Sequence, residues 1–476
     1  MKRNAALLFV LFASVMLASC SFYKARSDSA PPVEIPGTYS REAGQGSLPE
    51  RWWEAFEDER LNSLVDELLS GNLDLQQAWA RIDQAEALAI QAGSSLQPKI
   101  TLEAATSRAR TYSSSLSGSD AVPVYTRQHS LGLAASYEID LWGRVRSSNK
   151  AAGLDLAAVR LDLETAAMSL SAQVVQNWYS LIEQTSQLKL AQKQVEASTT
   201  QLDLVRLRFS RGLASALDVY QQRQQLASIS AQIPLIEAQI NVLTHQLNVL
   251  LGRAPGTSVE DIPDTLPELW PRPQAGIPAD LLQDRPDVEA AMMRVEAADQ
   301  RVAAAVSDRF PRVTISGSRG YGARSFADLF DQMVWNAAGS IIAPIYEGRA
   351  RSAEVKRTKA VVEERLYAYG EVVLTAVAEV EDALAREQKQ IEYVQRLTYQ
   401  LELSRSTLDE AYNQYINGLS DYLTVLSSLN ALQQTQRELL TARSTLISYR
   451  IALCRSLGGT WTAEIARENS TTGEKS

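Results

Sequence analysis

The stretch VYQQRQQLASISAQIPLIEAQINVLTHQL, residues 219–247, decides the fold. Val219, Leu226, Ile233, Ile240 and Leu247 recur every seven residues, the spacing of a helix that packs along a coiled-coil seam. The track returns as Val425, Leu432, Leu439, Leu446 and Leu453, an offset of 425 − 219 = 206. The preceding track, Leu188, Val195, Leu202 and Phe209, maps with the same offset onto Val394, Leu401, Leu408 and Tyr415. Gly212-Leu213 maps onto Gly418-Leu419, and Leu251-Gly252 onto Leu457-Gly458. Two copies in matching register indicate duplication of one long-helix unit.

Outward from these tracks, the first repeat occupies residues 50–252 and the second 287–459. Residues 253–286, with seven prolines, form the connector, and the polar tail 460–476 lies beyond the second repeat. In the first repeat the patterns predict short helices over 59–69 and 73–96. A long helix over 146–209 comes next, of roughly 95 Å at 1.5 Å per residue. Its return helix, 216–251, should bend at Pro234. The second repeat replays helices over 287–309, 351–416 and 421–457.

Between the short and long helices lie strand patterns. From His129 to Leu141, Leu131, Leu133, Ala135, Tyr137, Ile139 and Leu141 alternate with Ser130, Gly132, Ala134, Ser136, Glu138 and Asp140. Such alternation suits a membrane strand, with lipid on one face and water on the other, and equally a half-exposed soluble strand. Its partner is residues 99–109, and the Ser- and Gly-rich segment 112–127 is expected as an exposed loop. The second repeat offers strands near 312–321 and 336–346.

The N-terminus is a processing signal. Lys2 and Arg3 precede an apolar run that ends in Leu17-Ala18-Ser19-Cys20. That ending is similar to a bacterial lipobox, in which Cys20 is lipidated after removal of residues 1–19. The alternative is an ordinary signal peptide with a chance cysteine. Ser21, where an aspartate would mark inner-membrane retention, suggests the outer membrane. Residues 20–49, rich in Pro and Gly, read as an extended tether. The 476-residue chain has net charge −9, and loss of Lys2 and Arg3 makes it 45 − 56 = −11. Cys454 would then be the sole thiol, a small core residue in the last helix.

Chemistry is sparse. His129 and His245 are the two histidines, and neither has Cys, Asp or Glu at metal-ligand spacing. Neither a P-loop nor a Gly-x-Ser-x-Gly elbow is present. The acidic balance and an aromatic content of 7% do not suit nucleic acid. No enzyme, cofactor or metal is expected. The carboxylates read as solvated helix faces, or as an acidic lining that influences which ions pass.

Four strands cannot close a barrel in lipid, because an open edge leaves backbone groups unpaired at several kcal/mol each. One chain also offers too few neighbours for seams this long. A ring of strands above a ring of helices, built from several copies, satisfies both. Its interior would hold water.

On these motifs the chain resembles the outer membrane factor family, the TolC-like channels, in the NodT-type lipoprotein branch. The likeness runs from about Arg51 to Gly459. It rests on Trp52-Trp53-Glu-Ala-Phe-Glu-Asp with Leu61, Asn72-Leu-Asp-Leu, Tyr137-Glu-Ile-Asp-Leu-Trp-Gly-Arg-Val-Arg, Asp284-Arg-Pro-Asp-Val-Glu-Ala-Ala and Arg309-Phe-Pro. The resemblance implies a mainly α fold with a membrane β-barrel, an internally duplicated α-barrel plus four strands per chain, closing as a homotrimer with a 12-stranded barrel. It implies a passive exit duct for small molecules in a tripartite efflux pump. The partners it implies are a periplasmic adaptor, an inner-membrane RND-type pump and outer membrane lipid. Arg208-Phe-Ser-Arg-Gly-Leu-Ala-Ser-Ala-Leu-Asp-Val and Gln414-Tyr-Ile-Asn-Gly-Leu-Ser-Asp-Tyr-Leu-Thr-Val match the family's two periplasmic tips. By resemblance, Gly212, Leu213, Asp218, Gly418 and Leu419 meet the adaptor, and Tyr415 and Leu423 narrow the entrance. Their alternative is ordinary turn and seam packing. Ser427 stands where family members often carry an aspartate, which removes the expected acidic ring unless Asp218 or Asp421 supplies the charge. Two other readings are a duct for one-step protein secretion and a lipid-anchored periplasmic coiled-coil scaffold without a pore.

Overall fold

The computed structural model describes residues 23, 30–41, 44, 46, 49–113, 122–459, 461 and 462. Cys20 and most of the tail therefore lie outside the described residues. The element order is α1 (Glu59–Gly71), α2 (Leu73–Ser94), β1 (Lys99–Ser113), β2 (Val122–Ile139), α3 (Arg144–Ser210), α4 (Ala216–Ser230) and α5 (Ile233–Leu250). After the connector come α6 (Pro286–Ser307), β3 (Arg312–Ala323), β4 (Met333–Ile342), α7 (Ala350–Ile416) and α8 (Tyr422–Leu457). The chain divides into two compact units, one holding residues 81–159 and 290–370 and the other 33–80, 160–289 and 371–462.

The first unit carries the sheet, antiparallel throughout, in the order β1-β2-β3-β4. Among the described residues its outer strands, β1 and β4, have no second partner, so the sheet is open at both edges. Register sorts the side chains by face. Leu131, Leu133 and Ala135 on β2 lie opposite Ala104, Leu102 and Ile100 on β1, so these six share a face. Tyr137 and Ile139 continue it against Ile315 and Val313, and those face Gly339 and Ile341. The opposite face carries Ser130, Ser136, Glu138, Thr314, Ser316, Ser318, Asn336 and Ser340. Ile100 and Leu102 are each 70% exposed, a surface that a water-soluble sheet would cover.

Two strand expectations need correction. Of the segment 112–127 expected as a loop, Tyr112 and Ser113 belong to β1 and Val122–Arg127 to β2, and residues 114–121 lie outside the described residues. Its Ser and Gly content suggested a loop, but Val122, Val124 and Thr126 pair with β1, and Pro123 sits where β3 no longer reaches β2. The last strand is Met333–Ile342 rather than 336–346, because its partner β3 begins at Arg312, opposite Ile342.

The junction from β2 to α3 accounts for the charged motif. Glu138 accepts three bonds from Arg144, at 2.8, 2.9 and 3.1 Å, and Asp140 caps the helix by accepting from the Val145 and Arg146 amides. Trp142 donates from Nε1 to the Pro311 carbonyl at 2.7 Å, tying this corner to the entry of β3 in the second repeat.

In the second unit, Trp52, Trp53 and Phe56 lie on a single 3-10 turn, all buried. Asp58 caps α1 through the Leu61 amide and also accepts from the indole of Trp178 at 2.8 Å, so one carboxylate fixes two elements. Phe56 packs on Tyr179 and on Trp270 of the connector. Arg285 bonds Asp287, Glu379 and the Ser456 carbonyl, which accounts for the Asp-Arg-Pro-Asp motif. The segment before α1 is pinned here. Ser40 bonds Glu381, Arg41 bonds Gln388, and Gly44 and Gly46 pair with the backbone of Pro273 and Arg272. Cys454 is fully buried, and burial pushes its thiol pKa up to about 12.

The kink expected from Pro234 is a break in the return helix at Ala231-Gln232. Pro234, in the first turn of α5, lacks the N–H that would continue the ladder from Ser230. Between α3 and α8 runs a polar seam that the seven-residue tracks do not show. Gln176 bonds Ser448 at 2.8 Å, Thr441 bonds Glu183 at 3.2 Å, and Gln194 bonds Gln436 at 3.0 Å.

Candidate functional site

The turns between α3 and α4 and between α7 and α8 are built alike. The Leu213 amide donates to the Arg208 carbonyl at 2.9 Å and the Gly212 amide to Phe209 at 3.0 Å. Leu419 donates to Gln414 at 2.8 Å and Gly418 to Tyr415 at 3.1 Å. Each pair is a Schellman motif, whose penultimate position needs a left-handed residue. Gly212 and Gly418 supply it, with φ of 71° and 72°. The motif leaves the next residue outside, and Leu213 and Leu419 are 63% and 77% exposed.

The two turns lead differently into their second helices. Ser215 and Asp218 form a complete capping box at the start of α4. The Asp218 amide donates to Ser215 Oγ at 3.2 Å, and the Ser215 amide to Asp218 Oδ2 at 3.0 Å. Asp218 is therefore engaged locally. Asp421, the counterpart of Ser215, occupies the N-cap of α8 without a side-chain capping bond.

Behind the turns, four helices meet in one apolar cluster of Leu202, Val205, Val219, Leu408, Ala411, Tyr415, Tyr422 and Val425. Tyr415 is buried there, although its counterpart Phe209 is 48% exposed. The Arg208 guanidinium lies 4.8 Å over the Tyr415 ring, and the Tyr415 and Tyr422 rings are 5.2 Å apart. Burial, with the nearby Asp218 charge second, raises the Tyr415 phenol above its ordinary range. Tyr422 donates its hydroxyl to Gln222 Oε1 at 2.8 Å, and Gln222, itself fully buried, donates to the Ser198 carbonyl at 2.9 Å. Tyr422 is raised further still, first by burial.

A cleft of about 480 Å³ separates the two turns. It brings together Leu213, Asp218, Tyr415, Gly418 and Leu423 of the expected residues. Leu423 is 59% exposed at its rim. Ser427 is exposed one turn further along α8, its hydroxyl bonded to the Thr424 carbonyl. Sequence reasoning missed Tyr422 and Gln222. The offset of 206 held the clue, since Tyr422 replaces Ala216, an aromatic where the first copy needs only a methyl group.

An open four-stranded sheet with an apolar face, duplicated long helices and paired helical turns together define an outer membrane channel. The model of the outer membrane efflux protein family matches residues 64–253 and 277–459, and the chain belongs to that family. It is 32% identical over 445 residues to the pyoverdine export outer membrane protein OpmQ of Pseudomonas putida, covering 91% of this chain and 93% of that protein. Nodulation protein T of Rhizobium leguminosarum bv. trifolii is 28% identical over 442 residues, 90% of this chain and 92% of that one. Among solved structures, the outer-membrane channel OprN matches with TM-score 0.83 and 29% identity, over 92% of this chain and 98% of its own. VceC of Vibrio cholerae matches with TM-score 0.80 and 26% identity, over 87% and 99%. The chain has the TolC-like channel fold and is an efflux channel of the outer membrane, in a family of channels rather than enzymes.

Proposed function

We propose that three copies close into one duct, the exit of a tripartite pump that moves small molecules from a proton-driven inner-membrane transporter to the exterior. The observation that carries this reading is the open sheet. β1 and β4 each leave one side of their backbone unpaired, and pairing β4 of one copy with β1 of the next removes every such edge. Three copies give the twelve strands of a closed barrel. The exposed apolar positions Leu217, Tyr220, Leu235, Val242 and Val249 on α4 and α5 supply helix contacts for neighbouring copies.

The paired turns are the adaptor-docking tips, with Leu213 and Leu419 as apolar knobs beside Gly212 and Gly418. Tyr415 holds the tip by packing, and Leu423 forms the apolar constriction. With Ser427 neutral, Asp218 and Asp421, which both line the cleft, supply the negative charge at the mouth. Lipidation of Cys20 anchors the chain to the outer membrane, and cargo selection rests with the pump.

Conductance in planar bilayers tests the duct: purified protein should give channels whose size rises in a Leu423→Gly variant. A preparation that forms no conducting species would sink the proposal. For the anchor, radioactive palmitate should label wild type and not Cys20→Ala; equal labelling overturns it.

A further inference from the structure

The hairpin of β1 and β2 changes character along one face. From Ile139 to Leu131 that face is apolar, a rise of about 23 Å for nine residues tilted at roughly 40°, which matches a lipid-facing band. Beyond it the face turns basic and aromatic. Thr106 pairs with His129, Arg108 with Arg127, Arg110 with Tyr125 and Tyr112 with Pro123. Arg127 stands four residues past Leu131, about 10 Å further from the helical end of the sheet.

Arg108 and Arg127 are direct cross-strand neighbours, and Arg110 is diagonal to Arg127. Like charges placed directly opposite destabilise a strand pair. No carboxylate shares this face among the described residues, since Glu103 and Glu138 lie on the other one, and none of the three arginines forms an ion pair there. The guanidiniums instead spread over rings: Arg110 is 5.0 Å from Tyr112 and 5.5 Å from Tyr125, and Arg108 is 5.8 Å from Tyr125. Such contacts orient the arginines but leave their charge uncancelled. All five side chains are exposed.

We propose that Arg108, Arg110 and Arg127 bind the phosphates of an anionic lipid headgroup in the outer leaflet, with Tyr112 and Tyr125 at the interface beside them. The inference rests on β1 and β2 being membrane strands. Guanidinium forks suit phosphate oxygens, and an anion between Arg108 and Arg127 turns a repulsive pair into a chelate. A lipid rather than a dissolved phosphate is the ligand because the apolar band runs directly into the patch, so one molecule covers both. Arg319, on the same face opposite Leu133 and Trp335, lies level with the apolar band and is not part of this patch.

Native mass spectrometry of the purified full chain, with added diphosphoryl lipid A, dephosphorylated lipid A or inorganic phosphate, tests this. Diphosphoryl lipid A should be retained by wild type and bind at least tenfold more weakly to Arg108→Gln/Arg110→Gln/Arg127→Gln, on the order of tenfold being the value of one charge-assisted bond. The corresponding triple lysine variant should recover most of the affinity. Circular dichroism of each variant establishes that the sheet is intact. Equal retention by wild type and the glutamine variant, or equal retention of the dephosphorylated lipid, overturns the proposal. Displacement of the lipid by millimolar inorganic phosphate overturns the lipid as ligand and leaves a soluble anion site. If lipid A is not retained while the channel still conducts, the patch has failed and the membrane assignment stands.

Discussion

Replacing Tyr422 by Phe removes one hydroxyl from the interior of the tip and changes little else. That hydroxyl donates to Gln222 Oε1 at 2.8 Å, between two buried residues. Deleting it leaves the buried Gln222 oxygen without this donor, at about 1–3 kcal/mol. The contact joins α8 to α4, so the loss falls on the arrangement that holds the two turns together. At about 1.4 kcal/mol per tenfold, the ratio of open to closed tips should rise about 5- to 150-fold. Single-channel recordings read that ratio directly, and uptake of a large antibiotic by cells should rise with it. The double variant Tyr422→Phe/Gln222→Leu removes both partners of this bond and, because it also loses the Gln222 bond to the Ser198 carbonyl, should return only part of the way to wild type. An open fraction within about twofold of wild type in Tyr422→Phe, with unchanged helix content, would refute the assignment of this bond to tip closure.

The same phenol gives a pH dependence with a defined sign. Its folded pKa lies above the ordinary value of 10.0, chiefly through burial, so the stabilisation is complete below pH 10.0 and is lost as pH rises through the folded value. Open probability should therefore be flat near neutrality and rise only in strong alkali. Gly418→Ala forces a side chain into a left-handed conformation at about 1–2 kcal/mol, and amide exchange over residues 414–420 should accelerate accordingly. Asp218→Ala removes the capping box, costing about 1 kcal/mol, and should speed exchange at residues 215–219 and not at 421–425. Cys454, buried and with its thiol pKa near 12, should resist maleimide at pH 8 in the folded protein and react fully once denatured, as peptide mass mapping would show. Leu419→Ser should weaken adaptor binding and shift stability by no more than about 0.5 kcal/mol, since the side chain is mostly exposed.

The long helices and their duplication were legible because little besides a packed helix produces a seven-residue apolar period, and both copies keep it. Gly212 and Gly418 could be placed at the turns because a left-handed cap strongly favours glycine, and the structure finds both there. The ends of β1 and β2 at residues 110–113 and 122–128 were not legible. On residues 112–127, Ser and Gly stand beside Pro123, and composition alone cannot tell a wet strand from a loop. The polar seam of Gln176, Glu183 and Gln194 was hidden for a related reason. A buried glutamine is recognisable only once its partner on another helix is known, and those partners lie more than 200 positions away. The different capping of α4 and α8 shows where the two copies have diverged. Ser215 with Asp218 closes a box, whereas Asp421 with Thr424 does not.

Disulfide trapping between β1 and β4 tests most directly whether each chain is one segment of a closed ring. Within one chain these strands are three spacings apart, about 14 Å, well beyond disulfide reach. Cysteines introduced across Leu102 and Ala104 on β1 and Ala337 and Gly339 on β4, in a Cys454→Ala background, can therefore bond only between copies. The account predicts a covalent three-chain product on oxidation at one matching pair. Chains that stay single for every pair, or a ladder of ever-longer products with no closed ring of three, would contradict it.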